Sequence, residues 1–160
     1  EPIAEVMFPD TLPRMVLGEE RTELLVPTES PLAAFEVIPP EALRDLPVAM
    51  VGTTHGSPIL GPLRGVLGRA GARLIVPPEP HAIGVERYGR QFRMAAVSLG
   101  WFNTGGAGDP DMVRRPLAGL DLVTQLALVR APGRGNPAAE PFWQEARLQF
   151  PEARLVGATE

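Results

Sequence analysis

The chain of 160 residues contains no cysteine. Disulfides, thiolate nucleophiles and thiolate zinc sites are therefore excluded. Lysine is missing as well, because all 15 basic residues are arginine. That removes a P-loop lysine, a Schiff-base lysine and a Ser-Lys pair. A lysine-free surface has no physical advantage, and beside 19 prolines and 17 glycines it reads as the coding bias of a GC-rich bacterial genome. Histidine occurs only as His55 and His81, in neither a His-x-x-x-His nor a His-Glu-x-x-His spacing, so no metal or cofactor is expected. No apolar run approaches the roughly 18 residues that span a bilayer. The opening Glu1-Pro2-Ile3-Ala4-Glu5 does not read as a signal peptide, and a cytoplasmic location is the default expectation. The net charge is −4, with arginines scattered except for the pair Arg114–Arg115. Without a basic stripe, direct nucleic-acid binding by this piece is not expected.

What remains is 44% apolar and 21% charged, the balance of one globular domain with a real core. Residues 1–15 hold three prolines and no clean period, and read as an irregular lead-in. Glu23-Leu24-Leu25-Val26, closed by Pro27, reads as a buried strand. Ser30-Pro31 caps a short helical turn over 32–35, and Pro39-Pro40 opens another over 41–46 that Pro47 ends. Val48-Ala49-Met50-Val51 suits a strand of a parallel sheet covered on both faces. Ile59/Leu60, Leu63, Val66/Leu67 and Ala70 recur at helical spacing, with Gly71 as the stop. Arg73-Leu74-Ile75-Val76 is a third strand; Phe92, Ala95/Ala96 and Leu99 suggest a helix within 85–99. Trp101-Phe102 starts a strand, 103–110 is a loop, and 120–129 is a long strand. A final amphipathic helix carries Phe142, Ala146 and Gln149/Phe150. Alternating strands and helices argue an α/β fold, a parallel or mixed sheet with helices on both faces.

Few residues carry chemistry. Ala96-Val97-Ser98-Leu99-Gly100 imitates the small-x-Ser-x-Gly elbow of hydrolases. That elbow must follow a strand and open a helix, whereas here the period before Ser98 is helical. Glu140 and Glu145 sit five apart, off a common face, so paired-acid catalysis has no support. Gly133-Arg134-Gly135 lacks the rest of a dinucleotide fingerprint and reads as a loop. His81 lies in a proline-rich stretch and reads as an exposed loop residue. His55 follows a buried-type strand and precedes a helix, where open α/β sheets bind ligands. Around it stand Thr53, Thr54, Gly56 and Ser57. Short hydroxyls and glycine-freed amides beside a helix N-terminus suit a carboxylate or similar anion, and equally suit plain helix capping. No catalytic residue is assigned.

The order of segments resembles the LysR-type transcriptional regulators. Leu24-Leu25-Val26-Pro27, Ser30-Pro31-Leu32-Ala33, the stretch 43–47 and Val48–Val51 are similar to that family's strand, His-Pro-Leu-Ala-like tetrapeptide and following strand. Val97-Ser98-Leu99-Gly100-Trp101 resembles its Val-x-x-Gly-x-Gly turn, and 126–150 its closing strand, bend and helix. Ser30 stands where the tetrapeptide usually has histidine, Ser98 replaces the turn's first glycine, and Trp101-Phe102-Asn103 lacks the usual Leu-Pro ending. The resemblance implies a type II periplasmic-binding-protein-like effector domain, of which 1–160 is a part. Residues 17–131 would be its second subdomain and 132–150 the return helix of the first, with no DNA-binding domain present. It implies a small anionic metabolite held by Thr53, Thr54, His55, Gly56, Ser57, Ser98 and Trp101. DNA would be a partner only through a separate helix-turn-helix, in a homo-oligomer away from membranes. The alternatives are a solute-binding protein of the periplasmic type, and a small serine hydrolase using Ser57 or Ser98 with His55.

Overall fold

The computed structural model of the chain describes residues 12–52, 60–100, 110–130 and 136–157. The chain divides into two compact units, a larger one over Glu20–Val123 and a smaller one joining Glu5–Glu19 to Thr124–Glu160.

In the larger unit a mixed five-stranded sheet is built from β2 (Glu23–Pro27), β3 (Pro47–Ala49), β4 (Arg73–Ile75), β5 (Ala95–Ser98) and β6 (Met112–Arg115), in the order β4-β3-β5-β2-β6. Strand β3 pairs in parallel with both β4 and β5, while β2 runs antiparallel to β5 and β6. The three parallel strands are joined through α1 (Leu60–Arg69) and α2 (Ala82–Phe92). From β3 the chain moves one strand outward to β4, then returns past β3 to β5. Right-handed crossovers in opposite directions put α1 and α2 on opposite faces of the sheet. Both faces are thus covered, which is why β5 is buried along its whole length. Leu63, Leu67, Val48, Val85, Val97 and Leu24 are each fully buried in one continuous core.

Punctuation by proline and glycine falls where local chemistry requires it. Ser30 Oγ accepts the Leu32 N–H at 3.2 Å and caps a 3-10 turn over Pro31–Ala34. Pro40–Leu43 forms a second such turn. After α1 the chain reverses at Gly71, whose φ of +78° suits a residue without Cβ.

In the smaller unit β1 (Arg14–Arg21) lies between β7 (Val123–Val129) and β8 (Arg154–Val156), with α3 (Ala139–Gln149) before β8. Pairing of β1 with β8 is antiparallel, Met15 opposite Leu155. Only Ala146 is buried along α3, and Phe142 (62%) and Leu148 (75%) are largely exposed. Phe150, Leu126 and Leu155 are exposed in the same unit.

Several sequence expectations need correction. The lead-in over 1–15 gives way to strand β1 at Arg14, and β6 and β8 were not anticipated. Their residues alternate poorly or look solvated, and neighbouring strands supply the hydrogen bonds that make them strands. The helix expected within 85–99 ends at Phe92, because Arg93 takes the left-handed conformation (φ +52°) and Ala95–Ser98 pair with β2 and β3. Spacing of Ala95, Ala96 and Leu99 imitated a helix only because a strand buried on both faces is apolar throughout. Val97 and Ser98 accordingly close a strand and are not part of a turn.

Candidate functional site

Parallel β3, β4 and β5 all end at one edge of the sheet, and the chain leaves β3 and β4 toward opposite faces. In open α/β sheets that is where ligands bind. Beyond β3, Met50 N–H donates to the Ile75 carbonyl at 2.9 Å, and Gly52 N–H to the Pro80 carbonyl at 2.8 Å. A Cβ on Gly52 would lie 2.6 Å from Pro80 Cβ, so the two exits touch only because residue 52 is glycine. The stretch 77–81 is thereby fastened beside the end of β3.

Thr53, Thr54, His55, Gly56 and Ser57 follow Gly52 directly in the chain, and Trp101 follows Gly100. All six lie outside the described residues. Their described neighbours are Gly52, the start of α1 at Leu60, and Gly100, whose φ is +119°.

The other helix at this edge begins at His81. That residue is not a plain loop position but the N-cap of α2: its Nδ1 accepts the Gly84 N–H at 3.2 Å. Glu79 Oε2 stands 4.0 Å from His81 Nε2 and 3.3 Å from Arg87 Nη1.

Ser98 is fully buried, and its hydroxyl donates to Glu86 Oε1 at 2.7 Å. Glu86 is 1% exposed, with Arg90 Nη2 3.7 Å from Oε2 and Arg114 Nη2 4.0 Å from Oε1. One carboxylate thus joins α2 to the last residue of β5 and to β6. Burying such a group is costly unless it is paired and hydrogen-bonded; Oε1 takes the Ser98 bond, and among the described residues Oε2 has only the Arg90 guanidinium nearby. Ser98 is fully buried, so its hydroxyl is not exposed to a substrate in this arrangement. Sequence reasoning missed Glu86 and Arg114. The signal was there: Glu86 sits on the stripe of Val85 and Gly89, an acidic residue on an apolar face.

Two exposed carboxylates titrate below their ordinary range. Glu29 is held below the ordinary carboxylate range by its backbone hydrogen bond and then by Arg93. Glu140 is lowered by the Gln144 hydrogen bond and by the Arg130 charge. Among the described residues no group of three or more potential metal ligands occurs, and no helix is long and apolar enough to cross a membrane.

Several solved structures share this fold. The regulatory domain of CcmR from Synechocystis PCC6803, in complex with 2-PG, superposes with a TM-score of 0.67 at 13% identity, covering 87% of this chain and 67% of that one. The reduced regulatory domain of OxyR from Pseudomonas aeruginosa gives 0.59 at 14% identity, covering 88% and 67%. The BenM effector binding domain with its effector benzoate gives 0.57 at 9% identity, covering 93% and 67%. The chain therefore spans about two thirds of such domains, and 52% and 50% of two full-length regulators. No curated protein sequence matches it. The profile described as LysR substrate binding domain matches residues 8–151. With nine-tenths of its length inside that profile and a mixed α/β fold shared with LysR regulatory domains, this chain belongs to the LysR substrate binding domain family.

Proposed function

We propose that the chain senses a small anionic metabolite for a bacterial LysR-type transcriptional regulator, and that it is a binding module, not an enzyme. The larger unit corresponds to the second subdomain of the effector domain, and the smaller unit to the returning part of the first. The exposed apolar residues of the smaller unit, Phe142, Leu148 and Phe150 among them, support this, since a complete lobe would cover them. DNA contact belongs to a separate helix-turn-helix, in a cytoplasmic homo-oligomer.

The observation that carries the reading is the Gly52–Pro80 hydrogen bond. It brings the exit of β3, which leads into Thr53, Thr54, His55, Gly56 and Ser57, against the segment that caps α2. The residues that follow Gly52 in the chain carry short hydroxyls, a histidine and a glycine ahead of a helix, the residue types that receive a carboxylate or phosphate. Ser98, the last residue of β5, acts through its hydrogen bond to Glu86 by fixing where that strand ends.

The test is a thermal-shift titration of the parent regulator with 2-PG and benzoate, the ligands of two structural neighbours, alongside a panel of other carboxylates. An anion that binds raises the melting temperature as its concentration exceeds its dissociation constant. Thr54→Ala combined with His55→Ala should abolish that rise. A rise unchanged in the double variant would remove the loop from the site. Ester turnover lost in Ser98→Ala would support the hydrolase alternative instead.

A further inference from the structure

Helix α2 presents two working stripes. One packs on the sheet: Gly89 lies so close to β5 that a Cβ there would stand 2.6 Å from Ala96 Cβ, and Glu86 bonds Ser98. The other stripe, Gly84, Arg87, Tyr88, Gln91 and Phe92, recurs every three to four residues and faces the segment Pro77-Pro78-Glu79. Between them lies a cavity of about 280 Å³, predominantly apolar and open to solvent.

We infer that this cavity is an accessory binding site for a small neutral aromatic molecule of one or two fused rings. Size is the first argument. The groove, of about 280 Å³ and open to solvent, has room for a bicyclic ring such as indole or a single ring with a substituent, held by its apolar walls.

Shape is the second. Tyr88 and Phe92 form a tilted pair with centroids 4.3 Å apart, and Phe92 is 51% exposed beside the opening. Two proline rings stand on the facing wall. A flat apolar ring is the ligand that such walls contact on both sides. The walls are fixed at their base, because the Glu79 carbonyl oxygen lies 2.3 Å from where a Gly84 Cβ would be. Glu79 Cβ lies 2.5 Å from the same point, so residue 84 must be glycine for the two walls to meet.

Charge is the third. Arg87 and Glu79, the charged residues of the rim, are paired with each other at 3.3 Å. An anion would meet the Glu79 carboxylate or have to displace it from Arg87, and a cation would do the converse. A neutral ring leaves the pair intact, and the Gln91 amide remains to bond one polar substituent. None of the lining residues belongs to the proposed anion loop, so the inference does not rest on that reading.

The experiment is an amide NMR titration of the full chain with indole, with phenol and benzoate in parallel. Indole should shift the resonances of Glu79, Gly84, Arg87, Tyr88, Gln91 and Phe92 saturably, with low-millimolar or tighter affinity. Benzoate should act on the same residues about tenfold more weakly or not at all. Phe92→Ala, at a half-exposed position, should weaken indole about fivefold. Pro78→Ser, on the exposed opposite wall, should also weaken it and supplies a second variant if the first perturbs folding. Shifts that are absent at the solubility limit of indole, or scattered over the surface, would overturn the site. Benzoate binding these residues as tightly as indole would overturn its preference for neutral ligands.

Discussion

Removing the Ser98 hydroxyl tests how the buried carboxylate of Glu86 is held. Ser98→Ala deletes one oxygen at a fully buried position and leaves almost no cavity. Its effect is therefore the lost hydrogen bond of 2.7 Å to a charged acceptor. Bonds to charged groups contribute about 1.5–3 kcal/mol, and an acceptor left unsatisfied in a low-dielectric interior adds to the loss. The guanidinium groups of Arg90 and Arg114 lie at 3.7 and 4.0 Å and are partly exposed, so they temper the penalty without replacing the missing donor. We expect a destabilisation of about 2 kcal/mol, read as a fall in melting temperature of roughly 4–8 °C by circular dichroism or as a lower urea midpoint. The decisive companion is Glu86→Met with Ser98→Ala, which removes the buried charge along with its donor. Replacing both partners by apolar groups is often nearly neutral. The double variant should thus be no less stable than Ser98→Ala alone. A Ser98→Ala loss below about 0.5 kcal/mol, or a double variant far less stable than the single, would refute the account.

Gly89→Ala should cost about 1–3 kcal/mol in urea denaturation, since its Cβ would press on Ala96 and on the Met94 carbonyl, at 2.6 and 3.2 Å. Gly68→Ala, in α1 with nothing within 4 Å of its Cβ, should instead stabilise by about 0.5–1 kcal/mol in the same assay. His81→Ala removes the α2 cap and should lower stability by about 1 kcal/mol, with His81→Asn recovering most of it in thermal melts. Because the Glu140 carboxyl is lowered by Gln144 and Arg130, its contribution is complete above the unfolded-state pKa and disappears as pH falls through the folded value. Arg130→Gln should raise its titration midpoint toward the ordinary range, observable by carboxyl-carbon NMR.

By itself the sequence determined the class of the protein. Absent cysteine and lysine removed thiolate, Schiff-base and P-loop-lysine chemistry. Proline and glycine marked the ends of β2, β3 and α1, because their backbone limits act locally whatever the rest of the chain does. The order of the segments over Leu24–Val51 carried the family. Strands made by their partners were decided only in the tertiary structure. Arg154–Val156 and Met112–Arg115 have no strand pattern of their own and become strands by completing hydrogen bonds for β1 and β2. The end of α2 was likewise hidden, since an apolar run buried on both faces reads equally as helix or strand until pairing with β2 and β3 selects one. The candidate site divides the same way. The sequence reads Thr53 to Ser57 as a strand-to-helix junction suited to an anion, and that segment lies outside the described residues. That the Pro80–His81 segment is fastened to Gly52, and that Glu86 holds Ser98 from 12 residues away, are contacts between separate elements. Only the folded sheet brings those elements together, and no local pattern encodes their distance.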